Sequence, residues 1–343
     1  MRLALLLLAA ACFSPHPSPG APCAIGGICP EGLVCAATGT CELTALDAAV
    51  EDASIDTLRD GCVPTDELCG DGIDQDCDGV DPACPDNDLP AGAIDVSAGG
   101  TFHGDLRFAH ADDKPTHGGC GTRERDVFYK VNLMKPEVVY FDTFGSDFAT
   151  ELRVYPGAAC GANTSGFACQ SGACSTPSSQ VASLLPTGTS CVVVAQQMSG
   201  ETTGALDLHV VRGGRTGVAL PNQTGSSTIN DTTCSGTPQS KASCVDTSGT
   251  ADDLGYYALV CPAGANLDAS TCGSPSTFDN NVYIQQAGGA ELACADDSGA
   301  LACVANPNNA VLTNVAAKVG LAWVIVDGFQ TACGAFTLTV NVH

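Results

Sequence analysis

The segment GALDLHV at residues 204–210 recurs as GAFTLTV at residues 334–340, and this pair decides the predicted fold. In both segments apolar residues occupy every second position. Successive side chains of a β-strand point to opposite faces, so the alternation predicts antiparallel strands with one buried and one solvated face. No stretch after residue 62 shows a sustained helical period. The sequence therefore predicts an all-β protein with an internal repeat.

The repeat extends upstream of these two segments. Val154-Tyr155 and residues 192–195 in the first copy correspond to Val282-Tyr283 and residues 323–326 in the second. Two copies of one domain, at residues 87–214 and 215–343, are the simplest account. Apolar runs between Gly, Ser, Asn and Pro clusters predict strands in the first copy at 138–141, 151–155, 191–195 and 205–211.

Several short motifs of the first copy resemble a known domain family. They are GDL at 104–106, RDVFYKV at 125–131, DTFGS at 142–146, LRVY at 152–155 and the terminal GALDL. They resemble the bacterial pre-peptidase C-terminal domain, and the resemblance implies two tandem antiparallel jelly-roll-like β-sandwiches preceded by small disulfide-rich modules. Such domains commonly trail a secreted peptidase, and no peptidase precedes them here.

The chain has 21 cysteines, and none of them forms a CxxC pair. This usage predicts a disulfide framework formed in an oxidising compartment. A small module at residues 23–41 has four cysteines spaced six apart and is too short to bury a core, so disulfides must hold it. It resembles the dickkopf-like cysteine-rich repeats of secreted proteins from predatory soil bacteria.

The odd cysteine number is explained if Cys12 carries a lipid. The remaining cysteines of the two copies number five and seven. Complete pairing then requires at least one disulfide between the copies, and the alternative is one free thiol in each.

The first eleven residues resemble a bacterial lipoprotein signal. Arg2 precedes the apolar run Leu3–Ala11, and small residues stand directly before Cys12, although Ala9 occupies a position where Leu is usual. The resemblance implies removal of residues 1–11, lipid attachment at Cys12, a tether at 12–22 and membrane contact through that lipid. In such lipoproteins an Asp directly after the lipidated Cys favours retention in the inner membrane. Phe13 occupies that position here, which favours the outer membrane or cell surface. Ordinary secretion is the alternative.

The net charge of −25 is concentrated near the N-terminus. Residues 42–95 contain 16 acidic residues against Arg59, and 42–61 is expected to be an acidic linker. Such a surface repels phosphate backbones, which excludes nucleic acid as an electrostatic partner and leaves divalent cations as counter-charge.

An Asp-rich module spans residues 62–86 and contains CGDGIDQDCDGVDPAC at 69–84. Asp74, Asp76 and Asp78 stand at positions 1, 3 and 5 of a loop in which Gly79 follows. Calcium takes six to eight oxygens, and alternate carboxylates on a chain that turns at a glycine converge on one point. The spacing therefore predicts a calcium site.

This string resembles thrombospondin type 3 calcium repeats and, more closely, the MopE-type metal-binding motif. The resemblance implies five ligands, Asp71, Asp74, Asp76, Asp78 and Asp81. Copper is less well matched because it prefers imidazole and thiolate. A third reading is an acidic, disulfide-closed linker without a tightly bound ion.

No catalytic motif is present, so an enzyme is not expected. His103, His110 and His117 recur at intervals of seven, and we interpret them as polar residues of strand ends and loops. The expected function is a lipid-anchored cell-surface binding or structural protein, with a calcium-binding stalk and sandwiches that present a carbohydrate, matrix or protein ligand. The alternatives are an accessory to, or divergent member of, secreted peptidases, and a surface copper-capture protein.

Overall fold

A computed structural model describes residues 22–23, 29, 33–42, 63–65, 67–113, 115, 124–160, 168–197, 204–245, 253–274, 278–298, 302–304 and 306–343. The chain divides into two compact units, Met1–Asp66 with Asp74–Val80, and Glu67–Ile73 with Asp81–His343. The predicted signal, Cys12 and most of the linker at 42–61 lie outside the described residues.

In the first unit a short hairpin pairs β1 (Val34–Cys35) with β2 (Cys41–Glu42). Two disulfides, Cys23–Cys35 and Cys29–Cys41, cross this segment. The prediction that cysteines hold the module at residues 23–41 is thus confirmed.

The second unit begins with sandwich 1, which consists of nine strands. They are β3 (Ile94–Asp95), β4 (Gly100–Asp105), β5 (Asp126–Leu133), β6 (Glu137–Asp142), β7 (Thr150–Tyr155), β8 (Ala168–Ser171), β9 (Gln180–Leu185), β10 (Gly188–Gln196) and β11 (Ala205–Arg212). The five-stranded sheet has the order β3-β5-β10-β7-β8, and the four-stranded sheet has the order β4-β11-β6-β9.

Sandwich 2 repeats this arrangement. Its strands are β12 (Val218–Ala219), β13 (Gly225–Thr232), β14 (Leu254–Val260), β15 (Ala265–Ser270), β16 (Asn280–Gln286), β17 (Ala290–Ala295), β18 (Val311–Ala317), β19 (Gly320–Gly328) and β20 (Ala335–Val342). The sheets have the orders β12-β14-β19-β16-β17 and β13-β20-β15-β18, which match sandwich 1 strand for strand.

The predicted fold class is therefore confirmed, and so are the four strands predicted in the first copy. Neighbouring strands are antiparallel apart from two short edge pairs in the described sheets, β3 with β5 and β12 with β14, which are parallel. Two 3₁₀ turns, Pro90–Gly92 and Thr233–Ser235, accompany the strands. No helix in the described part of the chain is long and apolar enough to cross a bilayer.

Each sandwich has its own aliphatic core between its two sheets. The alternating residues Leu206, Leu208 and Val210 of β11 lie in the first core. Phe336, Leu338 and Val340 occupy the same positions of β20 in the second core. The two repeated segments of the sequence thus form the same strand of the same sheet, and their polar residues face outward.

The two sandwiches are joined by an apolar interface. Val138 and Tyr140, on the outer face of β6, pack with Tyr257, Tyr283 and Trp323 from the five-stranded sheet of sandwich 2. The disulfide Cys174–Cys261 also links the two copies, which is the connection that the odd cysteine numbers require.

Glycines allow Trp323 to approach the backbone at this interface. A Cβ atom at Gly217 would lie 2.4 Å from the indole ring and 2.5 Å from the carbonyl oxygen of Gly255. A Cβ atom at Gly213 would lie 2.4 Å from the carbonyl oxygen of Val138. Any larger residue at these two positions would push the sandwiches apart.

Hydrogen bonds outside the strands also repeat between the two copies. The amide of Asp207 donates to Ser146 Oγ, and the amide of Thr337 donates to Ser274 Oγ, both at 3.0 Å. The two copies therefore share hydrogen bonds outside their strands as well as the order of the strands in their sheets.

Candidate metal-binding sites

In the first unit, segment 74–80 curls around the carboxylate of Asp74. This carboxylate accepts the backbone N–H of Asp78 at 3.0 Å and that of Gly79 at 2.8 Å. Asp76 also accepts from Asp78, and Asp78 accepts from Val80. Gly79 has φ +92°, a conformation that favours glycine and reverses the chain at the point where the sequence motif predicts a turn.

Asp71 and Asp81 belong to the second unit, in segments that are closed by the disulfide Cys69–Cys84. The two oxygens of Asp81 accept the amides of Gly70 and Gly72, each at 2.7 Å. Asp71 accepts the amide of Ile73 at 2.8 Å. Asp71 and Asp81 thus order the backbone on their own side of the motif.

The donor set of segment 74–80 fits a hard cation. Its side-chain ligands are carboxylates, and Cys77 is in a disulfide and so offers no thiolate. A carboxylate has about four lone-pair positions, so an oxygen that accepts an N–H can still ligate an ion. Oxygen ligands of this kind suit calcium, whereas copper prefers imidazole and thiolate.

A pocket of about 550 Å³ in the second unit has four carboxylates and one imidazole in its lining. Asp88 is buried there and accepts both the backbone amide of His110, at 2.7 Å, and its ring Nδ1, at 2.8 Å. The other acidic residues of the lining are Asp71, Asp86 and Asp112. Sequence spacing did not reveal the pair of Asp88 and His110, because 22 residues separate them.

The sulfurs of Cys69 and Cys84 lie 3.7 and 3.9 Å from His110 Nδ1. They are bonded to each other, so they are not available as thiolate ligands. The Asp88 carboxylate then remains as the partner of the His110 ring, and the two residues form a structural Asp–His pair.

The other described histidines also pair with aspartates. His103 contacts Asp207 at 2.6 Å, and His209 contacts Asp142 at 2.8 Å. The hydrogen bond to Asp142 raises the pKa of His209. Within the described residues no histidine ring is hydrogen bonded to a Ser or Thr hydroxyl, so no Ser-His-Asp arrangement occurs there. His117 lies outside the described residues.

A buried aspartate stands at the start of equivalent strands, since Asp126 is the first residue of β5 and Asp253 directly precedes β14. Burial raises the pKa of Asp126 to about 8, and the amide of Asp113 donates to this carboxyl group at 3.1 Å. The nearby Arg153 is engaged by two other carboxylates, Glu151 at 2.5 Å and Asp113 at 3.0 Å. Asp126 is therefore protonated at neutral pH.

The equivalent aspartate, Asp253, has an arginine of its own. Arg215 Nη2 lies 2.9 Å from Asp253 Oδ1, and both side chains are buried. The two atoms are close without the alignment of a hydrogen bond, so the contact is an ion pair. The Arg215 guanidinium also lies 5.6 Å from the Trp323 ring centre, which connects this ion pair to the sandwich interface.

Comparisons with known proteins add little to this description. No protein-family model matches the chain, and no curated protein matches it. One similar solved structure is described as "The Triple Jelly Roll Fold and Turret Assembly in an Archaeal Virus"; it is 10% identical, with a TM-score of 0.19, and the match covers 71% of this chain and 58% of that chain. The chain thus spans less than two-thirds of that protein. A likeness at this TM-score has no bearing on function.

Proposed function

We propose that this chain is a lipid-anchored cell-surface binding or structural protein that presents two joined β-sandwiches beyond an acidic, calcium-binding segment. The observation that supports the proposal best is the interface between the sandwiches. An inter-copy disulfide and an apolar cluster that includes the buried Trp323 hold the two copies together. A pair held in this way displays its loops in fixed positions, and its disulfide would persist in an oxidising compartment outside the cell.

Segment 74–80 supports the calcium part of the proposal. Its backbone turns around the Asp74 carboxylate, and Asp76 and Asp78 follow at alternate positions. A bound Ca²⁺ would reduce the repulsion among these carboxylates and stiffen the segment.

The anchor is tested by metabolic labelling of the full chain with a fatty acid in a Gram-negative host. Wild-type protein is expected to carry the label and to fractionate with the outer membrane. Cys12→Ser is expected to lose the label and to leave the membrane fraction, whereas Ser14→Ala, the matched control, behaves as wild type. An unlabelled wild type, or equal fractionation of wild type and Cys12→Ser, contradicts the proposal.

Calcium binding by the loop is tested by calorimetric titration of the full chain. A site with a Kd of about 10⁻⁵ to 10⁻³ M is expected. Asp74→Asn combined with Asp78→Asn should remove one bound Ca²⁺ per chain, and Asp95→Asn in sandwich 1 should not. Unchanged stoichiometry in the loop variant contradicts the calcium assignment.

A further inference from the structure

A second group of acidic and amide side chains lies at one end of the five-stranded sheet of sandwich 2. Carboxylate oxygens of Asp279, Asp296 and Asp297 all lie within 4.8 Å of one another. Two ligands on opposite sides of a calcium ion, each 2.3–2.6 Å from it, are about 5 Å apart. The three carboxylates are therefore close enough to share one ion.

The strand register adds Asn281 to this group. Val282 of β16 pairs with Ala295 of β17, which sets Asn281 opposite Asp296 in this antiparallel pair. Asp279 precedes Asn281 by two residues, so both side chains point to the same face. On the other side, Asn281 pairs with Asp327 of β19. Asn281 thus lies in the middle of an acidic row that crosses three strands.

The Asn281 side chain is buried and lacks a partner. Its exposed fraction is 0%, and neither its Oδ1 nor its Nδ2 makes a hydrogen bond in the described structure. One oxygen each of Asp279 and Asp296 is also buried without a hydrogen bond. Leaving such groups unsatisfied costs roughly 1–3 kcal/mol each, and more when they are charged. The register thus places a buried, unsatisfied amide oxygen beside carboxylates that share two further unsatisfied oxygens, and a cation bound there would satisfy all three.

Among the residues that the structure describes, no positive side chain forms an ion pair with this group. None of the ion pairs among the described residues involves Asp279, Asp296 or Asp297. Burial, and then the charge of Asp297, raises the pKa of Asp279 and of Asp296.

Sandwich 1 shows how the same face is neutralised when an arginine is present. By register, Glu151 corresponds to Asn281, Ser171 to Asp296 and Arg153 to Tyr283. The sequence alignment of Tyr155 with Tyr283 is therefore wrong by two residues, a shift that keeps the same face of the strand. Arg153 forms an ion pair with Glu151. At the equivalent positions sandwich 2 has Tyr283 instead of the arginine and Asp296 instead of Ser171, so a cation from solution would balance the charge of this group.

We propose that Asp279, Asp296 and Asp297, together with the side-chain oxygen of Asn281, bind one Ca²⁺ ion in sandwich 2. The ligands are carboxylate and amide oxygens, which hard divalent cations prefer. Cys294, the cysteine nearest in sequence, is in a disulfide with Cys244 and offers no thiolate. This site is separate from the loop at 74–80 and does not depend on the calcium assignment made there.

The test is the number of Ca²⁺ ions bound by the full chain in equilibrium dialysis. The variants are Asp279→Asn with Asp297→Asn, the loop variant Asp74→Asn with Asp78→Asn, and the matched control Asp268→Asn in the same sandwich. If both sites exist, wild type and control bind two ions, and each double variant binds one. If the loop site alone fails, wild type binds one ion, the loop variant still binds one, and the sandwich variant binds none.

A sandwich variant that binds as many ions as wild type overturns the proposal. Since Asn removes repulsion among the carboxylates, the variant should melt in EGTA at a temperature no lower than that of wild type. It should also lose the part of the calcium-dependent rise in melting temperature that the loop variant retains. The exposed single change Asp297→Asn provides a milder check, with an expected loss of at least tenfold in affinity at this site; an unchanged affinity contradicts the assignment.

Discussion

Sandwiches 1 and 2 place an aspartate at the same point of the same strand and neutralise it in different ways. Asp126 is buried near an arginine that two other carboxylates already engage, and its pKa rises to about 8. Asp253 is buried beside Arg215, which makes no other described ion pair. The backbone around the two residues is the same, since Asp113 and Ser240, each 13 residues earlier, donate their amides to them. The two copies thus keep the same backbone hydrogen bond to the aspartate, but they neutralise its carboxyl group differently, by a retained proton in sandwich 1 and by an arginine in sandwich 2.

The outer faces of the four-stranded sheets differ in a second way. Val138 and Tyr140 of β6 correspond by register to Asn266 and Asp268 of β15. The apolar pair packs against sandwich 2, whereas the polar pair is only half-buried. Burial of aliphatic and aromatic surface stabilises a junction, so the first copy is suited to receive a neighbour in this way and the second is not.

The largest effect is expected at the sandwich interface. Trp323→Ala removes a buried indole that packs edge-on against Tyr257 at 5.4 Å between ring centres. Its loss should reduce the free energy of unfolding by about 3–5 kcal/mol, as for other buried aromatics. Chemical denaturation measures this change. Met134→Ala, at a side chain that is 94% exposed, is the control and should be neutral. A loss below about 1 kcal/mol in Trp323→Ala would show that the interface contributes little.

Asp253→Asn should cause the next largest loss of stability. The change leaves Arg215 buried without an opposite charge, which typically costs about 3–5 kcal/mol. The urea midpoint at pH 7 is expected to fall accordingly. A neutral or stabilising effect would mean that Arg215 finds another partner, and the contrast between the two aspartates would then fail.

Removing the inter-copy disulfide should have a smaller effect. Cys174→Ser combined with Cys261→Ser releases a link across 87 residues, for which a loss of about 2–4 kcal/mol is expected. The apolar interface should keep the sandwiches together, so small-angle scattering of the folded variant should match wild type. A marked increase in the radius of gyration would show that the disulfide, rather than the interface, joins the copies.

Asp126→Asn should increase the free energy of unfolding, in contrast to the three changes above. The folded state holds the Asp126 proton up to about pH 8, while the unfolded state releases it near pH 4. Wild-type stability therefore decreases as the pH rises between these values. The variant lacks this penalty and should gain about 1 kcal/mol over wild type for each pH unit between 6 and 8. Denaturation at several pH values measures the gain, and a constant difference between variant and wild type would contradict it.

The strands and the repeat could be predicted from sequence because alternation is a local pattern. The segments 204–210 and 334–340 contain it in full, and both became the predicted strands. The odd cysteine numbers of the two copies also predicted either a link between them or one free thiol in each. Which cysteines form that link, Cys174 and Cys261, depends on how the sandwiches pack, and no local pattern encodes it.

The candidate sites also differ in whether a local sequence pattern could predict them. Asp74, Asp76 and Asp78 lie within five residues of chain, so their spacing alone indicates a turn with converging carboxylates. Asn281 and Asp296 are 15 residues apart and meet only through the register of β16 and β17. The pairs of Asp113 with Arg153 and of Asp253 with Arg215 likewise depend on tertiary contacts. Sequence reasoning therefore found the loop and missed the acidic row of sandwich 2.

The central claim is that sandwich 1 balances its acidic side chains with Arg153 and a proton retained on Asp126, whereas sandwich 2 pairs Asp253 with Arg215 and its half-buried Asp279 and Asp296 with a bound cation. Carboxyl ¹³C chemical shifts of aspartate-labelled protein, followed against pH with and without Ca²⁺, test it most directly. Asp126 should titrate near pH 8 in both conditions. Asp279 and Asp296 should titrate above the usual aspartate range without Ca²⁺ and well below it with Ca²⁺. Titration of Asp279 and Asp296 in the usual range, unaffected by Ca²⁺, would contradict the account.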